Sequence, residues 1–139
     1  MTSENRHEYP KIPIGSEFRI EKTVPPEWTI SAYDQRLPSV FSTPAMIGMM
    51  EVAAAQVAQP HLPAETITVG TRIEVDHLKA APLGAQVWAT ARLVSQDGRV
   101  LTFEVEAGTA DKIIGRGRVF RAIVEPKSFS AKASARSSP

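Results

Sequence analysis

The chain has 139 residues, of which 42% are hydrophobic, with 16 basic against 15 acidic side chains and no cysteine. That length suits one domain with a real core. The balanced charge leaves no footprint for nucleic acid or an anionic membrane surface, and the lack of thiols excludes disulfides and thiolate metal sites and fits a reducing compartment. The opening MTSENRHEYP has no signal-peptide stretch, and no apolar run reaches the ~18 residues of a membrane span, so a soluble, cytoplasmic protein is expected.

Residues 1–13 and 130–139 read as flexible ends, rich in Pro or in Ser, Ala, Lys and Arg, and 14–129 reads as the folded domain. Ser16 to Val24 alternates as a first strand, with Phe18, Ile20 and Lys22 on one face, and Pro25-Pro26 stops it. The connection that follows, up to Ser42, exceeds the usual ~4 to 6 residues of a loop, a length found in lids and binding segments. Thr43-Pro44 is a helix start, with a hydroxyl able to cap free amides and a proline at the first helical position. The helix then runs to about Gln59, where Pro60 and Pro63 end it.

Four strands follow, Thr66 to Lys79, Ala85 to Ser95, Val100 to Thr109 and Lys112 to Glu125, with Asp97-Gly98 as a hairpin turn. The predicted fold is α+β: a five-stranded antiparallel sheet wrapped around one long central helix. Exposed sheet edges in such an arrangement are remedied by pairing with a second copy, so a homodimer is expected.

Glu51 is the one charged residue in PAMIGMMEVAAAQVAQ. An ionised group on so apolar a helix is costly unless it is paired or bonded, so it needs a partner or a task. Strict alternation along Thr66 to Lys79 places Val69, Thr71, Ile73, Val75 and His77 on the helix-facing side, and this directs His77 and Glu51 inward as a Glu–His pair. The alternative is a core histidine satisfied by a backbone carbonyl and a glutamate at a subunit seam. Thr43 either caps the helix or lines the same pocket. Eight residues of helix, about 12 Å, separate it from Glu51, which argues against direct contact between the two. His7 and His61 lie beside prolines or in the loose end and read as solvated. Arg116, Arg118 and Arg121 fall on the last strand, where they either meet an anionic ligand or form a solvated face.

These residues resemble the hot-dog fold acyl-CoA thioesterases, and within them the fluoroacetyl-CoA thioesterase branch. VFSTPAMIGMMEVA, with Thr43 eight residues before Glu51, and VGTRIEVDH, with Gly70 seven before His77, are similar to that branch's Thr, Glu, Gly and His motif at the same spacings. The resemblance implies a hot-dog fold, a homodimer, and hydrolysis of an acyl-CoA thioester with Thr43, Glu51 and His77 as catalytic residues. It further implies that Gly70 and Leu37 contact substrate, with no metal and no cofactor beyond the coenzyme A of the substrate itself, whose phosphates are the anionic groups that Arg121, Arg116 or Arg118 would meet as substrate contacts. The chain departs from that branch at Leu37, where a lid phenylalanine stands, and at Val52, where a tryptophan follows the glutamate. A small acyl-CoA is therefore the expected substrate, without an implied selectivity for fluorine. A hot-dog dehydratase or hydratase, using the acid and histidine on the acyl chain, and a non-catalytic acyl-CoA binding protein are the alternatives.

Overall fold

The computed structural model describes residues 8–135. His7 lies outside them. Five strands, β1 (Glu17–Thr23), β2 (Ile67–His77), β3 (Gln86–Asp97), β4 (Val100–Gly108) and β5 (Ile113–Val124), form one antiparallel sheet in the order β1-β3-β4-β5-β2. The sheet wraps α1 (Thr43–Ala58), as the hot-dog arrangement requires, and a short α2 (Pro126–Ser134) follows the last strand. Among the described residues no helix is long and apolar enough to cross a membrane.

The helix forms because its sequence is rich in Ala and Met, good helix formers, and because its start is capped. The cap is Ser42, not Thr43. Ser42 is extended at φ −79° and ψ 153° and its side chain accepts the Ala45 N–H at 3.2 Å. Thr43 is already the first helical residue, so its hydroxyl is released from the capping task expected of it.

The tight turn between β3 and β4 is as predicted, with Gly98 at φ +62°, a conformation that favours glycine. The connection from β2 to β3 is not a hairpin. Leu78 to Ala85 carries the chain from one side of the sheet to the other, so β2 lies beyond β5 and, among the described residues, has no neighbour on its outer edge. The long segment between β1 and α1 holds two 3-10 turns, Pro26–Trp28 and Ile30–Ala32, and is tied down by bridges from Thr29 to Phe41 and from Val40 to Pro82.

Structure is present on either side of residues 14–129. Ile12 is 3% exposed and its N–H donates to Gln96 Oε1, while Gln96 Nε2 donates to the Pro10 carbonyl, so residues 10–12 are docked and not loose. At the other end α2 continues the ordered chain past Phe129 to Ser134.

The core lies between α1 and the inner face of the sheet. Met46, Met50, Ala53 and Ala54 of the helix are fully buried against inward residues such as Ala89, Ala91, Leu93 and Phe103. On the outer face, charges alternate in sign across the strands: Glu17, Arg92, Glu104, Arg118 and Glu74 are successive register partners. That pattern describes a solvated surface.

Candidate active site

β2 positions half of the site, and it does so through an irregularity. Gly70 and His77 are seven residues apart, which in a regular strand places them on opposite faces. The register against β5 slips between Gly70 and Arg72, where Gly70 pairs with Arg121 and Arg72 with Phe120. One extra residue, Thr71, is thereby inserted, and the bulge reverses the alternation. Before it, Thr68 and Gly70 face inward; after it, Ile73, Val75 and His77 do. The expectation that Val69 shares a face with His77 fails for this reason, whereas Gly70 and His77 come to share one.

His77 meets the start of α1. Its Nδ1 lies 2.7 Å from Thr43 Oγ1, a side-chain hydrogen bond joining positions 34 apart in the chain. Either tautomer is compatible with this bond, as the neutral ring can accept the hydroxyl at Nδ1 or donate to it. The other ring nitrogen, Nε2, is buried and has no hydrogen-bond partner among the described residues. Burial holds the imidazole below its ordinary pKa of 6.5, with the Lys79 backbone acting in the opposite sense as the smaller influence. The ring is thus kept neutral at physiological pH and available as a base.

Glu51 has a different partner from the one expected. Its Oε1 accepts a hydrogen bond from Arg121 Nη1 at 2.9 Å, and the two side chains are 24% and 11% exposed. A carboxylate this far withdrawn from water is tolerable because a guanidinium faces it. Arg121 is fixed in turn by Thr68, whose Oγ1 accepts from Nε at 2.8 Å and whose carbonyl accepts from Nη2 at 2.9 Å. The predicted Glu–His pair is therefore replaced by two pairs, Thr43 with His77 and Glu51 with Arg121.

Gly70 explains how Glu51 reaches β2. A Cβ at position 70 would overlap Glu51 Oε2, so only a residue without a side chain lets the carboxylate lie against this strand. Arg121 points inward from β5 and is 9% exposed, with three of its N–H groups committed within the protein. That placement sets the guanidinium beside Glu51 and Thr68. Arg116 and Arg118 are on the outer face and exposed. Leu37 lies in the long segment before α1 and is 42% exposed, and His61 is exposed after the helix. Thr68 was not singled out by sequence reasoning, since one threonine in a strand carries no distinguishing pattern.

The arrangement provides a base on a hydroxyl, a carboxylate held by a cation, and a bare stretch of backbone beside that carboxylate. Those are the parts needed for addition of an oxygen nucleophile to an activated carbonyl.

Comparison with known proteins agrees. The profile of the fluoroacetyl-CoA-specific thioesterase family, FlK, matches residues 24–127. The chain is 35% identical over 125 residues to the fluoroacetyl-CoA thioesterase of Streptantibioticus cattleyicolor, a match spanning 86% of this chain and 90% of that one. A solved structure of the fluoroacetyl-CoA thioesterase FlK superposes with a TM-score of 0.85 at 32% identity, covering 92% of this chain and 99% of its own. A thioesterase superfamily member from Thermus thermophilus superposes with a TM-score of 0.82 at 28% identity, over 88% of this chain and 91% of that one. Both the sequence and the fold thus place the chain in the fluoroacetyl-CoA-specific thioesterase family, among the hot-dog fold thioester hydrolases.

Proposed function

We propose that this protein hydrolyses the thioester of a small acyl-CoA to the free acid and coenzyme A, using Thr43, Glu51 and His77. The observation that carries this reading is that α1 meets the inner face of the sheet through two polar pairs, Thr43 with His77 and Glu51 with Arg121, the second lying against Gly70. FlK itself has been solved as one threonine variant with fluoroacetate and as another with acetyl-CoA, which supports a small acyl group here.

Two routes fit the geometry and both balance. In one, Glu51 takes a proton from water, the water oxygen bonds to the acyl carbon, the C–S bond breaks, and the thiolate leaves with a proton. In the other, a Glu51 oxygen attacks the acyl carbon and expels the thiolate, and water then opens the resulting anhydride. In either route the Gly70 backbone stabilises the developing oxyanion, His77 moves protons, and Thr43 holds substrate. No metal or redox cofactor is used. Leu37 borders the acyl group from the long segment before α1, and with Leu37 and Val52 where a phenylalanine and a tryptophan stand in the fluoroacetyl enzyme, the proposed substrate class is short acyl-CoAs in general.

A homodimer working in the cytoplasm completes the reading. Among the described residues β2 has no partner on its outer edge, and Ile73 on it and Val52 next to Glu51 are 39% and 50% exposed, apolar surface that a second copy would cover. Ile73→Asp is expected to sediment as a monomer where the parent sediments as a dimer; a parent that sediments as a monomer overturns that part.

The test of the reaction is thiol release, followed with a disulfide reagent, from acetyl-, fluoroacetyl-, propionyl-, longer-chain and aryl-CoA, with Glu51→Gln and His77→Ala as controls. Release from short acyl-CoAs that both substitutions abolish is expected. Unchanged release by Glu51→Gln overturns the mechanism, and no release from any thioester overturns the reading in favour of a dehydratase or a binding protein.

A further inference from the structure

We propose that Thr68 is a positioning residue for this reaction, acting on Glu51 through Arg121; the inference rests on the reading of Glu51 as the catalytic carboxylate. Among the described residues, Glu51 has one side-chain hydrogen bond, to Arg121 Nη1 at 2.9 Å. The direction of that one N–H therefore sets where the carboxylate lies.

A guanidinium is planar and its donors leave it in fixed directions, so two contacts along one edge determine where the third points. Thr68 supplies both contacts. Its hydroxyl takes the Nε–H at 2.8 Å and its carbonyl takes an Nη2–H at 2.9 Å, both within buried surroundings. With the carbonyl alone, the plane can pivot about a single bond. The hydroxyl removes that freedom and leaves Nη1 aimed across Gly70 at Glu51.

Packing alone does not account for a threonine here. Position 68 is 6% exposed and faces inward, a setting that valine fills with nearly the same volume and without a hydroxyl to satisfy. The hydroxyl is explained by Arg121. Thr68 touches neither Thr43 nor His77 in the hydrogen-bond network, so its influence on the chemistry runs through the guanidinium.

The experiment uses the full chain and the short acyl-CoA that is turned over fastest. Thr68→Val, which keeps volume and loses the acceptor, is expected to lower kcat about tenfold to a hundredfold with KM within about twofold, as misplacement of a reacting group does. Thr68→Ser, which keeps both acceptors, should restore kcat. In an Arg121→Met background Thr68→Val should cause no further loss, because the group through which it acts is gone. Wild-type kcat for Thr68→Val overturns the inference, as does an equal loss in both backgrounds. Thermal melts establish that each variant is folded, and Thr68→Ala carries the same comparison if Thr68→Val melts below the assay temperature. Full activity of Glu51→Gln would reject the underlying reading, whereas an inactive Glu51→Gln beside an unaffected Thr68→Val rejects this inference alone.

Discussion

The two flanks of α1 serve different ends. The helix lies chiefly over β3, and there Met46, Met50, Ala53 and Ala54 are fully buried against Ala89, Ala91, Leu93 and Phe103. Toward β2 the same helix presents Glu51, while Val52 on the helix and Ile73 on β2 are 50% and 39% exposed. Small residues on the first flank let helix and sheet approach closely, which maximises dispersion and excluded water. The second flank forgoes that gain. It holds a charged pair, a bulge and a glycine, none of which improves a core. Stability is thus concentrated away from the proposed site, and substitutions on the two flanks should separate in their effects.

The largest separation is expected at Phe103. It is fully buried on β4 within the packed flank. Phe103→Ala should cost about 3 to 5 kcal/mol of unfolding free energy by denaturant titration, with kcat of the remaining folded protein little changed. A loss of turnover without a loss of stability would break the division between the flanks.

Gly70→Ala should show the opposite. The added Cβ meets the Glu51 carboxylate, which must swing away from β2. A fall of about a hundredfold in kcat is expected, since displacement of a reacting group by an ångström costs of that order, and the melting temperature should move little. Crystals of the variant would show the carboxylate displaced.

Adjacent residues at the start of α1 give a finer contrast. Ser42 caps the helix and Thr43 bonds His77. Ser42→Ala should lower stability by about 1 kcal/mol and leave kcat near the parent value. Thr43→Val should leave stability near the parent value and lower kcat/KM by about tenfold or more. Reversed outcomes would restore Thr43 to the capping role its position in the sequence suggests.

That reversal marks the limit of what the sequence made legible. The fold was legible because its main elements carry their own signals: the Ala- and Met-rich helix, five alternating strands, and Asp97-Gly98 at a turn. Glu51 stood out as one charge on an apolar helix, and Arg121 could have been found the same way. It lies between Val119 and Ile123 in the inward phase of β5, an isolated cation on an apolar face. Two isolated opposite charges facing one core are each other's natural partners, and this argues for Glu51 with Arg121 before any histidine is considered. What was not legible is the bulge at Thr71. One inserted residue has no signature in an alternating strand, yet it decides which of Val69 and Gly70 faces the helix, and a strict period of two gives the wrong answer for one half of β2. The cap was ambiguous because Ser42 and Thr43 are both good caps, and only the backbone conformation assigns the role to one of them.

The smallest expected effect concerns pH, and it tests the neutral state of His77. Burial lowers its pKa below 6.5 in the folded protein, so the unfolded chain binds the proton more readily. Any stability tied to this group is therefore fully present above pH 6.5 and is lost as pH falls through the folded value. The catalytic sign is the same, because a base must be deprotonated: kcat/KM should rise with pH along an acid limb whose midpoint lies below 6.5, and should not fall between pH 6.5 and 8 on account of this ring. Titration of the His77 ring protons by NMR gives the midpoint directly, and Thr43→Val tests whether the contact between Thr43 and the ring contributes to it. A midpoint above 6.5 would mean that the charged imidazolium is stabilised in the folded protein. The open flank would then hold a cation at position 77 as well as at Arg121, and His77 would enter the reaction carrying its proton, as an acid toward the leaving thiolate.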